Sequence, residues 1–316
     1  MKELVVISGK GGTGKTSIVA SFAALAEERA VLADCDVDAA DLHLVLEPRV
    51  LRRKDFVGGN RARINPGLCA ACGKCQELCR FDAIYYDGPG NGRVGKTFRV
   101  DSLACEGCGV CARYCEEVAI EFGPVVAGEW FVSDTRFGPM VHARLGVGAE
   151  NSGKLVTLIR QTAEQLARQH DLDLVLCDGS PGIGCPVIAS LTGASLALVV
   201  VEPTVSGLHD FRRVAELMGR LRVPGLMIVN KADLNSEMTG RLEETARELG
   251  ISPVGRVPYD PAVTGAQIAR KTVFEASDGP AATAICAVWE EVQQRLQDSI
   301  PCGVSGLVQL AETSCR

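Results

Sequence analysis

A glycine-rich loop at residues 9–16 constrains the fold of this 316-residue chain more than any other feature. The loop reads GKGGTGKT, follows the apolar run LVVIS at 4–8, and precedes a helical stretch at 16–29. It satisfies the pattern G-x-x-x-x-G-K-[ST], which joins a buried strand to a helix and turns backbone N–H groups toward phosphate oxygens. Strand, loop and helix together predict an α/β sheet with a phosphate site at one edge.

The residue types in this loop suit a nucleotide phosphate site. Glycines let the backbone approach phosphate without a Cβ in the way. The Lys15 ammonium supplies a positive charge for the β and γ phosphates, and the Thr16 hydroxyl is a ligand for Mg²⁺. The predicted nucleotide-binding residues of the loop are Gly9, Lys10, Gly11, Gly12, Thr13, Gly14, Lys15, Thr16 and Ser17.

Apolar runs and helical stretches alternate along most of the chain. The strand-like runs lie at 4–8, 30–36, 172–178, 196–202 and 225–230. The helical stretches lie at 16–29, 154–170, 207–222, 236–249 and 280–300. Most of the apolar runs lack polar alternation, which is typical of parallel strands buried on both faces. The fold class predicted is α/β, a doubly wound and mostly parallel sheet with helices on both faces.

Residues from about 60 to 123 interrupt this alternation. Two runs, CAACGKCQELC at 69–79 and CEGCGVCARYC at 105–115, share the cysteine pattern C-x₂-C-x₂-C-x₃-C, and each is followed by a short strand-like tail. The repeated spacing indicates metal-ligating thiols, because packing alone does not produce spaced quartets. We predict a small inserted α+β domain at 61–123, an α/β domain at 1–60 and 124–300, and a C-terminal tail at 301–316.

Composition restricts the compartment and the partners. The chain has 14 cysteines, no signal-peptide core and no apolar stretch of membrane-spanning length, which predicts a cytoplasmic protein with metal-binding cysteines. Its net charge of −6 argues against a nucleic-acid partner and against adhesion to an anionic membrane. The polar face of the segment at 280–300 is acidic, which favours a core-packing helix over a membrane anchor.

Lys10, directly after Gly9, makes the loop a variant form of the motif, KGGTGKT. On this motif the chain resembles the MinD/ParA/Mrp-type P-loop ATPases, the group that includes the nitrogenase iron protein. In that group the extra lysine reaches the nucleotide of a partner subunit. The resemblance therefore implies an ATPase that binds ATP, ADP and Mg²⁺ and forms a homodimer on ATP binding. The alternative for Lys10 is a solvated loop lysine.

Two further stretches resemble the switch regions of this group. In ADCDVDAADLH (33–43), Asp36 falls on the carboxylate that orients the attacking water, although Asp34 and Asp38 lie close enough for a misalignment. In LVLCDGSPG (174–182), Asp178 falls on the residue that holds Mg²⁺ through water, and Gly182 lies near the γ-phosphate. A solvated turn is the alternative for the aspartates. The implied catalytic residues are Lys10, Lys15, Asp36 and Asp178, and the implied Mg²⁺ residues are Thr16, Asp36 and Asp178.

The predicted base-binding residues leave the choice of nucleotide open between ATP and GTP. Asn230-Lys231-Ala232-Asp233 fits the N-K-x-D pattern of guanine-specific GTPases, whereas in the MinD-like group the asparagine at this place reads adenine. The variant loop with Lys10 favours ATP. Asn230 and Lys231 are therefore predicted on the base side, with Pro258 of VPYD (257–260) closing over the base.

The two cysteine runs resemble those of bacterial two-cluster ferredoxins, in which the fourth cysteine of each run ligates the cluster of the other run. The proline that usually follows the fourth cysteine is replaced by Arg80 and Glu116. Zinc is the alternative metal, chiefly in aerobically prepared protein. The resemblance implies one [4Fe–4S] cluster on Cys69, Cys72, Cys75 and Cys115, and a second on Cys105, Cys108, Cys111 and Cys79.

The nitrogenase iron protein holds a cluster between its two subunits, and only one of the two cysteine positions involved is matched in this chain. Cys185 lies seven residues after Asp178, at the place of one bridging cysteine of that protein, but Ala149 stands at the place of the other. A four-thiolate cluster bridging the dimer is therefore not expected. A Cys185 thiol that faces the same residue of the partner subunit remains open, although a buried packing cysteine is favoured. The C-x-x-C pair of Mrp-type carriers is also missing outside the two runs, which weakens the carrier mechanism.

These features predict an iron–sulfur ATPase that acts as an ATP-gated electron carrier or redox switch on an unidentified redox or iron–sulfur protein partner. The alternative is an assembly or maturation factor that delivers a cluster or metal. The sequence leaves open whether the chain has an oxidoreductase activity of its own. Positioning at the membrane is disfavoured by the acidic C-terminal helix.

Overall fold

The computed structural model describes residues 1–146 and 152–299 and divides them into two compact units. Unit 1 comprises Met1–Lys54, Trp130–Arg144 and the described residues from Ser152 onward. Unit 2 comprises Asp55–Glu129 with Leu145 and Gly146. The predicted tail at 301–316, with Cys302 and Cys315, and the comparison at Ala149 lie outside the described residues.

Strands and helices alternate in unit 1, whereas the helices of unit 2 have only four residues each. The strands are β1 (Lys2–Ser8), β2 (Ala30–Asp34), β3 (Arg49–Ile64), β4 (Ile84–Gly88), β5 (Thr97–Val100), β6 (Ile120–Thr135), β7 (Gly138–Leu145), β8 (Leu174–Pro181), β9 (Leu196–Val201), β10 (Gly225–Asn230) and β11 (Ser252–Val257). The α-helices are α1 (Lys15–Leu25), α2 (Leu42–Leu46), α3 (Lys74–Glu77), α4 (Val110–Arg113), α5 (Ser152–Gln169), α6 (Cys185–Leu191), α7 (Val205–Leu221), α8 (Ser236–Glu248), α9 (Pro261–Ile268), α10 (Val273–Ala276) and α11 (Pro280–Asp298).

One large sheet organises unit 1. Among the described residues it contains nine strands in the order β11-β10-β9-β1-β8-β2-β7-β6-β3. β1 pairs in parallel with β8 and β9, β10 pairs in parallel with β9 and β11, and β2 pairs in parallel with β7 and β8. Every residue of β9 is buried, as expected of a strand covered on both faces. The large, mostly parallel sheet confirms the predicted α/β class.

Several predicted boundaries need correction, and the backbone explains them. α1 ends at Leu25 rather than at residue 29, because Glu27 and Glu28 adopt left-handed φ values of 50° and 60° that end a helix. β2 ends at Asp34 rather than at residue 36, because the Asp34 carboxylate accepts a hydrogen bond from the N–H of Asp36 and closes a turn.

Helix α11 packs into the core of unit 1. Its residues Ile285, Val288 and Val292 are almost fully buried, and the Trp289 ring lies 4.8 Å from the ring of Phe22 on α1. These contacts match the apolar face read from the sequence. No helix in the described ranges is both long enough and apolar enough to cross a bilayer.

Unit 2 repeats one local structure. The helices α3 and α4 begin at Lys74 and Val110, and each follows a glycine with left-handed φ, Gly73 at 84° and Gly109 at 74°. β4 and β5 pair antiparallel. The strand-like tail predicted after the second run is not short, since β6 extends from Ile120 to Thr135. The predicted boundaries at 60 and 124 lie inside β3 and β6, the strands in which the chain leaves and re-enters unit 1.

Candidate functional site

Three neighbouring strands of unit 1 bring the predicted nucleotide residues together. The loop at 9–16 follows β1, Asp36 follows β2, and Asp178 lies near the carboxyl end of β8. β8 pairs with both β1 and β2, and Asp34 is in register with Asp178. Because carboxyl ends of parallel strands meet at one edge of the sheet, the loop and both aspartates share that edge.

Lys15 is buried between two carboxylates. Its Nζ atom lies 2.5 Å from Oδ1 of Asp178 and 3.4 Å from Oδ2 of Asp36, and its side chain is 6% exposed. Burial lowers the pKa of Lys15, but the charges of Asp178 and Asp36 outweigh it, so the pKa is raised overall. Lys15 therefore carries its charge in the phosphate loop throughout the physiological pH range.

Asp178 also binds Thr16 of the loop. Thr16 donates from Oγ1 to Oδ2 of Asp178 at 2.8 Å, so both carboxylate oxygens have a partner. Thr16 and Asp178, which the resemblance assigns to Mg²⁺, are therefore within one hydrogen bond of each other. Hydroxyl and carboxylate oxygens are the hard ligands that Mg²⁺ prefers.

The three aspartates after β2 differ in environment. Asp34 is fully buried and accepts hydrogen bonds from the N–H groups of Asp36 and Leu42. Burial raises its pKa well above the usual range, and the nearby Asp178 adds to the effect. Asp36 reaches Lys15, and burial raises its pKa to about 6 although Lys15 opposes the shift. Asp38 is exposed. Asp34 therefore shapes the turn, while Asp36 faces the loop.

The phosphate loop is held in shape from β10. Asn230 donates from Nδ2 to the carbonyl oxygen of Thr13 at 2.7 Å. Gly14 has φ of 87°, and a Cβ placed there would lie 2.4 Å from that Nδ2 atom, so only glycine fits. Oγ1 of Thr13 is buried and has no hydrogen-bond partner in the described part of the chain. A buried hydroxyl without a partner in a glycine loop can donate a hydrogen bond to a phosphate oxygen.

The cleft above the loop has a volume of about 540 Å³. Lys231 donates to Glu202 at 2.5 Å and to the Gly12 carbonyl at 3.5 Å. Asp233 does not line the cleft, and its Oδ1 accepts the N–H of Tyr259 at 2.6 Å. The predicted residues that line the cleft are Gly11, Gly12, Thr13, Gly14, Lys15, Thr16, Ser17, Asp36, Asn230, Lys231 and Pro258.

The engaged carboxylate of Asp233 bears on the choice of base. Guanine recognition needs that carboxylate for the ring N1–H and the exocyclic amine together, and one of its oxygens already binds the backbone. This arrangement favours adenine.

Other predicted residues lie at the margin of the cleft. Lys10 forms an ion pair with Glu202, from Nζ to Oε2 at 3.1 Å, and lies 3.5 Å from the Ser206 hydroxyl. Gly182 has φ of 89° and donates its N–H to the Ser8 carbonyl at 2.8 Å. Gly9 is closed in by Asp210, whose Cβ would lie 2.5 Å from an added Cβ.

Sequence reasoning did not single out two residues at this site. Glu202 follows β9 and binds both Lys10 and Lys231; its position at the end of a buried apolar run was the available signal. Gln267 donates from Nε2 to the Ser17 hydroxyl at 2.7 Å and has no comparable sequence signal.

A stack of rings lies next to α2 in unit 1. The His43 and His142 rings are parallel within 5° at 6.0 Å, and the Phe131 ring lies 4.9 Å from His142 on β7. Ser133 Oγ and His142 Nε2 are 2.9 Å apart. Burial lowers the pKa of His142 to about 4, with a smaller contribution from His43. The four histidines suggest no cluster in the sequence, because these two are 99 positions apart (142 − 43).

The eight cysteines of unit 2 divide between two cavities. The first has a volume of about 400 Å³ and the second about 20 Å³. Cys69, Cys72, Cys75 and Cys115 line the first, and Cys79, Cys105, Cys108 and Cys111 line the second. Each cavity therefore combines three cysteines of one run with the fourth cysteine of the other.

The thiols of unit 2 lie against an apolar core that contains Ile64 and Phe98. Burial raises the pKa of Cys75 to about 11 and also raises the pKa of Cys111. Backbone N–H groups of Ala71 and Ala119 donate to the sulfurs of Cys69 and Cys115 at 3.4 Å each. Partly buried thiols with a raised pKa ionise when a cationic metal centre compensates their charge.

Across residues 1–146 and 152–299, no group of three His, Cys, Asp or Glu side chains converges as ligands of a single metal ion. The choice between [4Fe–4S] clusters and zinc on these thiols therefore stays a prediction.

Cys185 is exposed at the first residue of α6. The favoured expectation of a buried packing cysteine is therefore wrong, and a thiol that faces its counterpart in a partner subunit stays a prediction.

Comparisons with known proteins agree with the nucleotide-binding unit. The family model described as the CobQ/CobB/MinD/ParA nucleotide binding domain matches residues 4–273. The cell division ATPase MinD of Pyrococcus furiosus has a similar fold, with a TM-score of 0.55 and 17% identity over 93% of this chain and 98% of that one.

Three curated relatives are also similar. An uncharacterized protein of Methanocaldococcus jannaschii is 35% identical over 74% of this chain and 79% of its own length. An uncharacterized ATP-binding protein of the same organism is 26% identical over 90% of this chain and 85% of its own length. An iron-sulfur cluster carrier protein of Pyrococcus furiosus is 25% identical over 40% of this chain and 48% of its own length.

Proposed function

Because this chain belongs to the CobQ/CobB/MinD/ParA nucleotide-binding family and is a P-loop ATPase, we propose that it uses ATP to gate electron transfer through two [4Fe–4S] clusters. The observation that carries the proposal is the division of eight cysteines between two cavities, each with three thiols of one run and the fourth of the other. This is the ligand distribution of two-cluster ferredoxins. The inserted unit would thus be a ferredoxin-like domain.

The nucleotide chemistry follows from the contacts around Lys15. A bound triphosphate takes the Lys15 ammonium from Asp178 and Asp36, because the γ-phosphate carries more charge than either carboxylate. Asp178, Thr16 and Asp36 would then be available to hold Mg²⁺, and Asp36 would orient the attacking water. Mg²⁺ stabilises the charge of the transferring phosphoryl group when it is bound. Asn230, Lys231 and Pro258 lie on the base side of the cleft.

The thiols define where the clusters would be held. Cys69, Cys72, Cys75 and Cys115 hold one, and Cys105, Cys108, Cys111 and Cys79 hold the other. Each cluster supplies one-electron transfer when bound. The apolar core and the backbone N–H groups near Cys69 and Cys115 set its environment, and hence its potential.

A short stretch of chain connects the nucleotide site to the strand that enters unit 2. Asp34 binds the N–H of Leu42, the first residue of α2, and β3 begins at Arg49, soon after α2 ends at Leu46. We propose that movement of the turn that carries Asp36 displaces the start of β3, and that this segment is the route from ATP to the clusters. The partner is a redox or iron–sulfur protein, and a reducing, cytoplasmic compartment keeps the thiols ready for iron.

The decisive experiment measures cluster potential in different nucleotide states. Anaerobically purified protein should contain iron and sulfide in equal amounts, and its midpoint potential should differ between Mg-ATP and Mg-ADP by about 60 mV, a tenfold change for one electron. Lys15→Ala is the control, since it should keep its iron and lose the nucleotide effect. Iron-free protein, or equal potentials in both states, would refute the proposal.

A second candidate function is cluster assembly or maturation. The similarity to the iron-sulfur cluster carrier of P. furiosus and the exposed thiol of Cys185 favour it. Here the protein would hold a labile cluster beyond the two ferredoxin-type clusters and pass it to an apo-protein. Transfer of iron to an apo-ferredoxin that is abolished by Cys185→Ser would support this function over the first.

A further inference from the structure

A second concave surface of unit 2 lies outside both thiol cavities. It is a groove of about 660 Å³ lined by residues of β3, β5 and β6. Small-molecule sites usually have volumes of roughly 300–1,000 Å³. The groove is therefore large enough for a ligand the size of a mononucleotide.

Two arginines give this groove its charge. Arg61 and Arg63 alternate on β3, so they project from the same face of the strand. In the described ranges neither guanidinium has a salt bridge or hydrogen bond. By contrast, Arg99 in the same lining is held by both oxygens of Asp87, at 3.0 and 2.8 Å. Glu121 is the acidic residue of the lining, so the two free arginines leave the groove positive.

The walls of the groove are apolar and rigid. Three prolines, at 66, 89 and 124, contribute to the lining. The Phe122 side chain, also in the lining, is 40% exposed. An exposed aromatic ring beside an arginine pair suits a ligand with a planar ring and a negative group, because the ring stacks while the guanidinium groups bind the anion.

The groove shares a wall with the first thiol cavity. Ile64 and Phe98 line both, and both side chains are buried. One layer of side chains therefore separates a ligand in the groove from the cavity of Cys69, Cys72, Cys75 and Cys115.

We propose that the groove binds a phosphate ester of a planar heteroaromatic compound, with the phosphate on Arg61 and Arg63 and the ring against Phe122. Paired guanidinium groups bind phosphate oxygens in a fixed geometry, and this binding is charge-assisted. The site is separate from the phosphate loop and does not require the proposed gating.

Flavin mononucleotide is a suitable probe, since its fluorescence anisotropy rises when it binds a protein. The full chain is titrated in the presence of saturating Mg-ADP, which occupies the loop at 9–16. We expect a rise in anisotropy that saturates, and an affinity at least about tenfold weaker for riboflavin, which lacks the phosphate. No binding, or equal affinity for riboflavin, would overturn the proposal.

Variants locate the probe in the groove. R61Q/R63Q should weaken flavin mononucleotide binding by about tenfold or more, and Phe122→Leu should also weaken it, because the stacking surface for the ring is lost. The matched control is R80Q/K96Q, which removes the same charge from exposed residues of unit 2 outside the lining. If both double variants weakened flavin mononucleotide binding equally, the effect would come from net charge alone, and the proposed site would be rejected. Iron content and circular dichroism establish that each variant is folded.

Discussion

Nζ of Lys15 and Oδ1 of Asp178 lie 2.5 Å apart, and Thr16 donates to the other oxygen of the same carboxylate. The phosphate-binding lysine is therefore neutralised by the residue proposed to hold Mg²⁺ through water. ATP must therefore displace the Asp178 carboxylate from Lys15 before its phosphates can bind there.

Asp178→Asn removes the charge on which Lys15 and the metal both depend. We expect kcat for ATP hydrolysis to fall by about 100-fold, which corresponds to roughly 2.7 kcal/mol of transition-state stabilisation. Steady-state phosphate release measures it. Asp233→Asn, outside the cleft, should stay within about twofold of the parent. An Asp178→Asn protein with full activity would contradict the assignment.

The pKa of Asp36, raised by burial to about 6, predicts an acid limb in the pH profile. Below that pH the carboxyl is protonated and no longer accepts from the attacking water, so kcat/KM should fall about tenfold per pH unit. ATPase rates between pH 5 and 8 test this. Asp38→Asn, an exposed neighbour, should retain the profile. A profile that stays flat through pH 6 would exclude Asp36 as the group that accepts a hydrogen bond from the attacking water.

Glu202 should oppose dimer formation, because it holds Lys10 within its own subunit. Glu202→Gln frees Lys10, so we expect half-maximal dimerisation at a lower ATP concentration, by about threefold or more, a shift of under 1 kcal/mol for a partly exposed pair. Analytical ultracentrifugation across an ATP series measures it. Lys10→Ala should abolish the ATP effect. Unchanged dimerisation in Glu202→Gln would show that this ion pair does not restrain Lys10.

The division of the cysteines between the two cavities predicts how many clusters each double variant loses. C72A/C115A removes two ligands of one cluster, so about four of roughly eight iron atoms should remain. C108A/C115A removes one ligand from each cluster, and both should be lost or weakened. Anaerobic iron analysis with electron paramagnetic resonance separates the cases. If C108A/C115A lost one cluster only, ligation would not cross between the runs.

His142 should make unit 1 less stable in acid. Its folded pKa is lowered to about 4 from an ordinary value near 6.5. Between these values the unfolded chain binds a proton that the folded chain does not, so stability is lost as pH falls from about 6.5 to 4, by about 3 kcal/mol at most.

Urea denaturation at pH 7 and pH 5 tests this. His142→Gln should reduce the loss of stability between the two pH values, while His170→Gln, at an exposed histidine, should leave it unchanged. The same loss in His142→Gln and the parent would assign the acid sensitivity to other groups.

Local motifs carried most of what the sequence could predict. The loop at 9–16 and the two cysteine runs encode their chemistry within a dozen residues each, and the apolar runs encode the parallel strands. Contacts between distant residues had no such signal. Glu202 meets Lys10 across 192 positions (202 − 10), and Gln267 meets Ser17 across 250. These pairs depend on strand order, which spacing along the chain does not specify.

The two 16-residue strands illustrate another limit. Residues 49–55 of β3 are exposed and mostly charged, so the apolar pattern that identifies a buried strand is absent there. In β6 the predicted strand-like tail stops at Gly123, and Pro124 and Gly128 interrupt the apolar residues that follow. Both strands are nevertheless part of the sheet, since backbone pairing specifies a strand where side chains do not.

The tie from Asn230 to Thr13, with the close approach at Gly14, has a consequence for how fast the protein binds its nucleotide. The loop at 9–16 already has its folded shape, so little of the chain has to become ordered when the nucleotide binds. The main obstacle to binding is the Asp178 carboxylate, which has to be displaced from Lys15. Because one ionic contact replaces another, high salt should slow association of the triphosphate, while the folded shape of the loop should change little.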